Sequence, residues 1–196
     1  MPSIIVGLGN PGSGYAKNRH TSGFMVADAV ASSIVAGGVG GGWREKFHGH
    51  WVRGTAGGKD VLVLKPMTYM NLSGTSVEEA ATFYKTPVGE VIVVHDELDL
   101  PFGVVQVKLG GGHAGHNGLR SIFEHFGKDF VRVRCGIGRP KFGDVSNYVL
   151  GDFGADEAPG VEAFIQAGVK AVELVLSKGI VAAQNAMNPK AKPGGK

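Results

Sequence analysis

The sequence predicts a single α/β domain in which helices flank a twisted, mixed and largely parallel sheet. Three observations carry that expectation. Short β-branched runs alternate along the chain with stretches of helical periodicity, the pattern of strands joined by crossover helices. The length of 196 residues is that of one domain with a sizeable core. Hydrophobic residues make up 43% and charged residues 19%, the balance of a soluble globular chain. No apolar run approaches the roughly 18 residues that a membrane span needs.

Taken in order, the elements read as follows. Residues 3–8, SIIVGL, form a continuous apolar run of the kind buried on both faces of a sheet. A helix over 22–36 follows, with Phe24, Ala27, Ala31 and Ile34 at core-facing spacing. The stretch 37–43, GGVGGGW, is a glycine-rich connector. Strands over 47–54 and 60–65, a helix over 76–85 and strands over 90–95 and 104–109 come next. A helix over 117–126, a strand over 131–137 and a long helix over 161–177 complete the set. The domain is expected to span 1–188, and 189–196 reads as a flexible basic tail.

Cys135 is the one cysteine, so an internal disulfide and a thiolate zinc site are excluded. It falls in VRVRC, where apolar residues alternate with arginines, and is expected to be core. The start, MPSIIVGLGNPG, lacks the pattern of a secretory signal, and the cytoplasm is the expected location. Net charge is +3, a modest excess, but its distribution is uneven. Lys108, Arg120, Lys128, Arg132, Arg134, Arg139 and Lys141 face only Glu124 and Asp129 over 108–141. That stretch is the candidate anion-binding surface.

Three apolar strands run into polar segments: IIVGL into GNPG, VLVLK into PMTYMNLSG, and VIVV into HDELDLP. In open α/β sheets ligands bind beyond the carboxyl ends of the strands, so Asn10, Asn71, His95 and Asp96 are expected to converge. GGGHAGHNGLRSI adds a glycine-rich loop entering a helix, with Asn117 as the expected cap and free N–H groups that suit an anion or a polarised carbonyl. His20, just before the first helix, can serve as general base if an aspartate orients its imidazole; Asp96 is the natural partner.

Other chemistries fit less well. GLGNPG matches G-x-G-x-x-G, but Asp28 lies mid-helix instead of ending a second strand, so a dinucleotide site is not expected. The pairs His48/His50, His95/Asp96 and His113/His116 include no H-E-x-x-H, and no metal is expected. Ser73 lies outside any G-x-S-x-G elbow, which leaves water as the attacking group.

VGLGNPG, GY followed by RH, PMTYMNLSG, HDELDLP, GGGHAGHNG and GIGRP occur in this order between Ile4 and Pro140. Together they resemble the bacterial peptidyl-tRNA hydrolase family. The resemblance implies a monomeric esterase without cofactors that cleaves the bond between a peptide's terminal carbonyl and the tRNA ribose, with peptidyl-tRNA as its partner and neither membrane nor obligate protein partner. It implies His20 as the base activating water, Asp96 as the group that holds it, and Asn10 as the residue that tells blocked from free aminoacyl ends. Tyr15, Tyr69, Asn71, His116 and Asn117 would contact the peptide and the 3′ end, with Met70 lining the cleft; Lys108 and Arg134 would hold tRNA phosphates. Thr21 departs from the family, which usually has asparagine there. The alternative is a non-catalytic RNA-binding relative with the same fold.

Overall fold

The computed structural model describes residues 1–36 and 41–190; most of the glycine-rich connector and residues 191–196 of the basic tail lie outside the described residues. Seven strands form one sheet: β1 (Ser3–Gly7), β2 (Arg44–Lys46), β3 (Gly49–Ala56), β4 (Lys59–Pro66), β5 (Val91–Glu97), β6 (Val105–Leu109) and β7 (Val131–Gly136). Their spatial order is β2-β3-β4-β1-β5-β7-β6. The centre is parallel, β1 pairing with β4 and β5, and β5 with β7. Antiparallel pairs close both wings, β2–β3–β4 on one side and β6–β7 on the other. The mixed, largely parallel α/β sheet read from the sequence is the one observed.

Strand alternation divides the core into two layers. Ile5, Val63, Val94 and Val133 face α1 (Ser22–Ala36) and α5 (Val161–Lys178), packing with Ala27, Ala31, Phe164 and Val172. Ile4, Val6, Leu62, Leu64 and Val93 face α2 (Ser73–Tyr84) and α3 (Asn117–Phe126), packing with Val77, Ala80, Leu119 and Ile122. Each fully buried aliphatic side chain contributes roughly 1.5–3 kcal/mol. Cys135 lies in the first layer, fully buried, as expected.

Several boundaries differ for identifiable reasons. Phe47 and His48 take positive φ of 58° and 49°, forming the turn that folds β2 onto β3, so the strand expected from 47 begins at Gly49. β2, α4 (Val145–Val149) and α6 (Ile180–Met187) are additions; three to eight residues carry too little periodicity to register. β5 runs to Glu97, which draws both Asp96 and Glu97 into the sheet. At the β6 edge, the Asn188 side chain accepts from the Val107 N–H at 2.7 Å and donates to the Val107 carbonyl at 2.9 Å. That amide occupies backbone groups which an edge strand otherwise leaves unpaired.

One close approach positions the site. A Cβ at Gly23 would sit 2.4 Å from both the Leu8 nitrogen and the Val94 carbonyl oxygen. Only glycine lets the start of α1 rest directly on β1 and β5, and this sets the preceding turn, Arg19–Thr21, over the carboxyl end of the sheet.

Candidate active site

Because β1, β4 and β5 are parallel, the three polar exits share one edge of the sheet, as the sequence predicted. His20 enters from the turn before α1. Its Nδ1 lies 3.0 Å from each carboxylate oxygen of Asp96, so Nδ1–H donates to the carboxylate. Nε2 makes no hydrogen bond and is not sealed from solvent. Both residues are buried. Burial alone would weaken the imidazolium, but the Asp96 charge and hydrogen bond outweigh it and hold the His20 pKa above its ordinary value. Asp96 is pushed up by burial and, more strongly, down by the charges and N–H groups of His20 and His116, so its pKa falls well below the usual carboxylate range.

His95, expected in the site, is not there. Successive strand residues point to opposite faces, and His95 turns into the second core layer while Asp96 meets His20. The His95 Nδ1–H donates to the Asp96 carbonyl at 2.8 Å, and Nε2 is buried without a partner. Burial, together with neighbouring His116, lowers its pKa to about 3, so this imidazole is neutral.

An open cleft of about 520 Å³ in front of His20 is lined by Asn10, Tyr69, Met70, Asn71 and Asn117, together with Arg120, Ser146, Val149 and Leu150. Arg120, read from the sequence only as part of the basic stretch, follows Asn117 by three positions and so shares its helix face; Ser146, Val149 and Leu150 were missed, because α4 is too short to give a signal. Asn10 accepts the Met70 N–H on Oδ1 at 3.0 Å, which turns its Nδ2 amide donors away from that bond. The Ser73 hydroxyl, fully buried, donates to the Met70 carbonyl at 2.8 Å and is no nucleophile.

The cap of α3 is His116, not Asn117 as expected. His116 Nδ1 accepts from the N–H groups of Gly118 and Leu119 at 3.1 and 3.3 Å, and its Nε2–H donates to Asp96 at 2.8 Å. Asn117, relieved of capping, lines the cleft. Gly118 permits the approach, since a Cβ there would lie 2.6 Å from Met70 Sδ.

His20, Asp96 and His116 each offer a ligand atom within 4.8 Å of the others, a spacing a divalent cation could use. The protons do not fit one. Binding through His116 Nε2 would move its hydrogen to Nδ1, against two N–H donors of α3. His48 is paired with Glu79 and His50 lies beside Glu45, both near the surface.

The basic stretch is more divided than expected. Lys108 is exposed on β6. Arg132 is buried and donates to the carbonyls of Gly111 and Gly112, fastening the glycine loop before His116. Arg134, half-buried, is paired with Glu97 and Gln106. Arg132 and Arg134 share one face of β7, opposite Val131, Val133 and Cys135, but in this structure one serves the loop and the other is already matched to Glu97. Tyr15 lies on a short turn outside the cleft lining. Thr21, buried, donates to Asn18 Oδ1 at 2.9 Å and does not bond the dyad.

The sequence profile described as Peptidyl-tRNA hydrolase matches residues 4–194. The chain belongs to the peptidyl-tRNA hydrolase family. A peptidyl-tRNA hydrolase of Sorangium cellulosum is 49% identical over 97% of this chain and 86% of its own length. One from Geobacter sulfurreducens is 48% identical over 95% of each chain. A crystal structure of peptidyl-tRNA hydrolase from Acinetobacter baumannii, 42% identical, superposes with a TM-score of 0.87 over 95% of this chain and 94% of that one. Family, fold and enzyme class, a hydrolase acting on an ester, thus agree with the reading of the sequence. Among the described residues no helix is long and apolar enough to cross a membrane.

Proposed function

We propose that this member of the peptidyl-tRNA hydrolase family cleaves the ester between a peptide's terminal carbonyl and the 3′ ribose of tRNA, with His20 as general base and water as nucleophile. The observation that carries the reading is the His20–Asp96 pair: Nδ1–H is committed to the carboxylate, so the lone pair of Nε2 is free at the cleft wall. Water gives its proton to Nε2 as it attacks the carbonyl carbon. Asp96 stabilises the imidazolium, which returns the proton to the departing ribose oxygen. A positioned base contributes roughly 10²- to 10⁴-fold, and an ester's alkoxide leaves readily enough for amide donors at the carbonyl to supply much of the rest.

The asparagines fit a peptidyl substrate. Asn10 has its oxygen occupied by Met70 and offers only N–H donors. An acylated amine presents a carbonyl oxygen to such donors, whereas a free ammonium, itself a donor, finds no acceptor. Asn71 and Asn117, both exposed on the cleft, can each serve a peptide group with a donor and an acceptor. Tyr69, 66% exposed, and Tyr15 offer aromatic surface to the peptide and the 3′ end, and His116 acts behind Asn117. Lys108, exposed on β6, can meet phosphate, and Arg134 would have to leave Glu97 to join it.

The same reading takes the chain as a cytoplasmic monomer acting without metal or organic cofactor. It takes residues 1–188 as one domain, closed by the Asn188 contact to β6. The test is release of tRNA from an N-acylated aminoacyl-tRNA with excess chelator, the unblocked form as control. Selective cleavage that His20→Ala abolishes, with tRNA still bound, is the expected result; bound but uncleaved substrate in the unaltered protein would favour the non-catalytic RNA-binding relative.

A further inference from the structure

We infer that His116 is a positioning residue of the hydrolytic site: locked in one tautomer by helix α3, it shares Asp96 with His20 and joins the substrate-facing start of α3 to the base. The inference rests on the reading of His20 as general base. Asp96 Oδ1 receives both the His116 Nε2–H at 2.8 Å and the His20 Nδ1–H at 3.0 Å, while Oδ2 receives His20 alone. The two rings are 4.9 Å apart between centroids, tilted by 49°. A third ring, His95, packs edge-on to His116 at 5.3 Å.

The tautomer follows from the helix. Two backbone N–H groups point at His116 Nδ1, so that nitrogen carries a lone pair and the ring hydrogen is on Nε2. A second proton on His116 would displace the cap of α3. His20 has no such constraint, and its Nε2 is the place where a proton can be gained and lost. Around the carboxylate the ionisable groups are His20, His116, His95 on the same strand and Cys135 on the neighbouring one. Arg19, on the turn of His20, is drawn away to Glu157 and the Tyr148 ring.

A carboxylate that accepts from two donors holds each less strongly than it would hold one. His116 therefore moderates the pull of Asp96 on the His20 proton, which keeps the imidazolium ready to give it up to the leaving oxygen. Without His116 the full acceptor strength falls on His20, its protonated form is favoured, and a higher pH is needed to free the base.

Ring nitrogen shifts from two-dimensional NMR of the intact protein read the His116 tautomer directly; hydrogen on Nε2 is expected, and hydrogen on Nδ1 would overturn the inference. The paired measurement is the His20 titration midpoint in H116N and H116A. Asparagine is a favoured N-cap but is too short to reach Asp96, so H116N separates capping from the Asp96 contact. In both variants the midpoint should rise by about one pH unit, and the acid limb of kcat should move with it. An unmoved midpoint with a raised KM alone would make His116 a substrate contact and nothing more. Should the midpoint rise while the acid limb of the unaltered enzyme fails to follow its own His20 titration, the coupling stands and the assignment of His20 as base falls.

Discussion

Asp96 and Glu97 are adjacent on one strand, and the two edges of the site they serve are built on opposite principles. Asp96, 2% exposed in its side chain, is held by two imidazoles. Glu97, also largely covered, is held by the guanidinium of Arg134. An imidazole titrates near neutrality and a guanidinium does not. In the first, His20 has an Nε2 able to gain and lose a proton, as the proposed reaction requires, while the second is an ion pair that ties β5 to β7 and carries no free charge to the surface. Strand alternation puts the two carboxylates on opposite faces, so one sequence step separates chemistry from scaffold.

The sharpest way to break this comparison is to neutralise each carboxylate in turn. Asp96→Asn removes the charge that supports the imidazolium and should lower kcat by roughly 10²- to 10⁴-fold, measured under single-turnover conditions. Glu97→Gln should leave kcat within a few-fold and release Arg134. Equal losses in the two variants would show that both pairs serve the chemistry.

A second prediction concerns acid stability and involves His95, the residue preceding the pair. Its folded pKa is depressed to about 3, so the unfolded chain takes a proton as pH falls below about 6.5 while the folded one does not. Stability from this group is present above that pH and is lost progressively down to about 3, by roughly 3–5 kcal/mol. Asp96, likewise depressed, adds to the loss at the acid end. His20, raised, works in the opposite sense, its contribution fading as pH climbs through its folded value. Urea midpoints across this range should fall steeply toward acid, and His95→Leu should flatten the slope; an unchanged slope would assign the acid sensitivity to the Asp96 cluster alone.

The smallest effect expected distinguishes the cations. Lys108→Ala should weaken tRNA binding and reduce the magnitude of its salt slope by about one phosphate contact, read from binding isotherms at several ionic strengths. Arg134→Ala should change the slope much less, because its charge is spent on Glu97. Equal reductions would mean that Arg134 leaves its partner on binding.

Much of the fold was legible because burial writes itself into patterning. The run at 3–8 reads as a strand enclosed on both faces, and β1 is buried from Ser3 to Gly7. Phe24, Ala27, Ala31 and Ile34 predict α1, and all four are buried in it. The dyad was legible as well, since His20 and Asp96 end up in contact across 76 positions of sequence. The cap at His116 was not, because asparagine has the stronger capping preference and what decides the matter is the distance from Asp96 to the start of α3. Nor was the pairing of Arg134, which depends on the strand register that sets His95 beside Arg134 and on the extension of β5 through Glu97.

The sequence by itself determined the α/β class, the parallel centre of the sheet, the family and the residue types gathered at the strand ends. Those follow from periodicity and local composition, which act over a few neighbouring positions. Only the tertiary structure decided which histidine caps α3 and which is core, and that Arg132 and Arg134 are both already engaged. These are questions of face, register and proton placement, and they are settled by groups far apart in the chain that share one buried carboxylate or one strand edge.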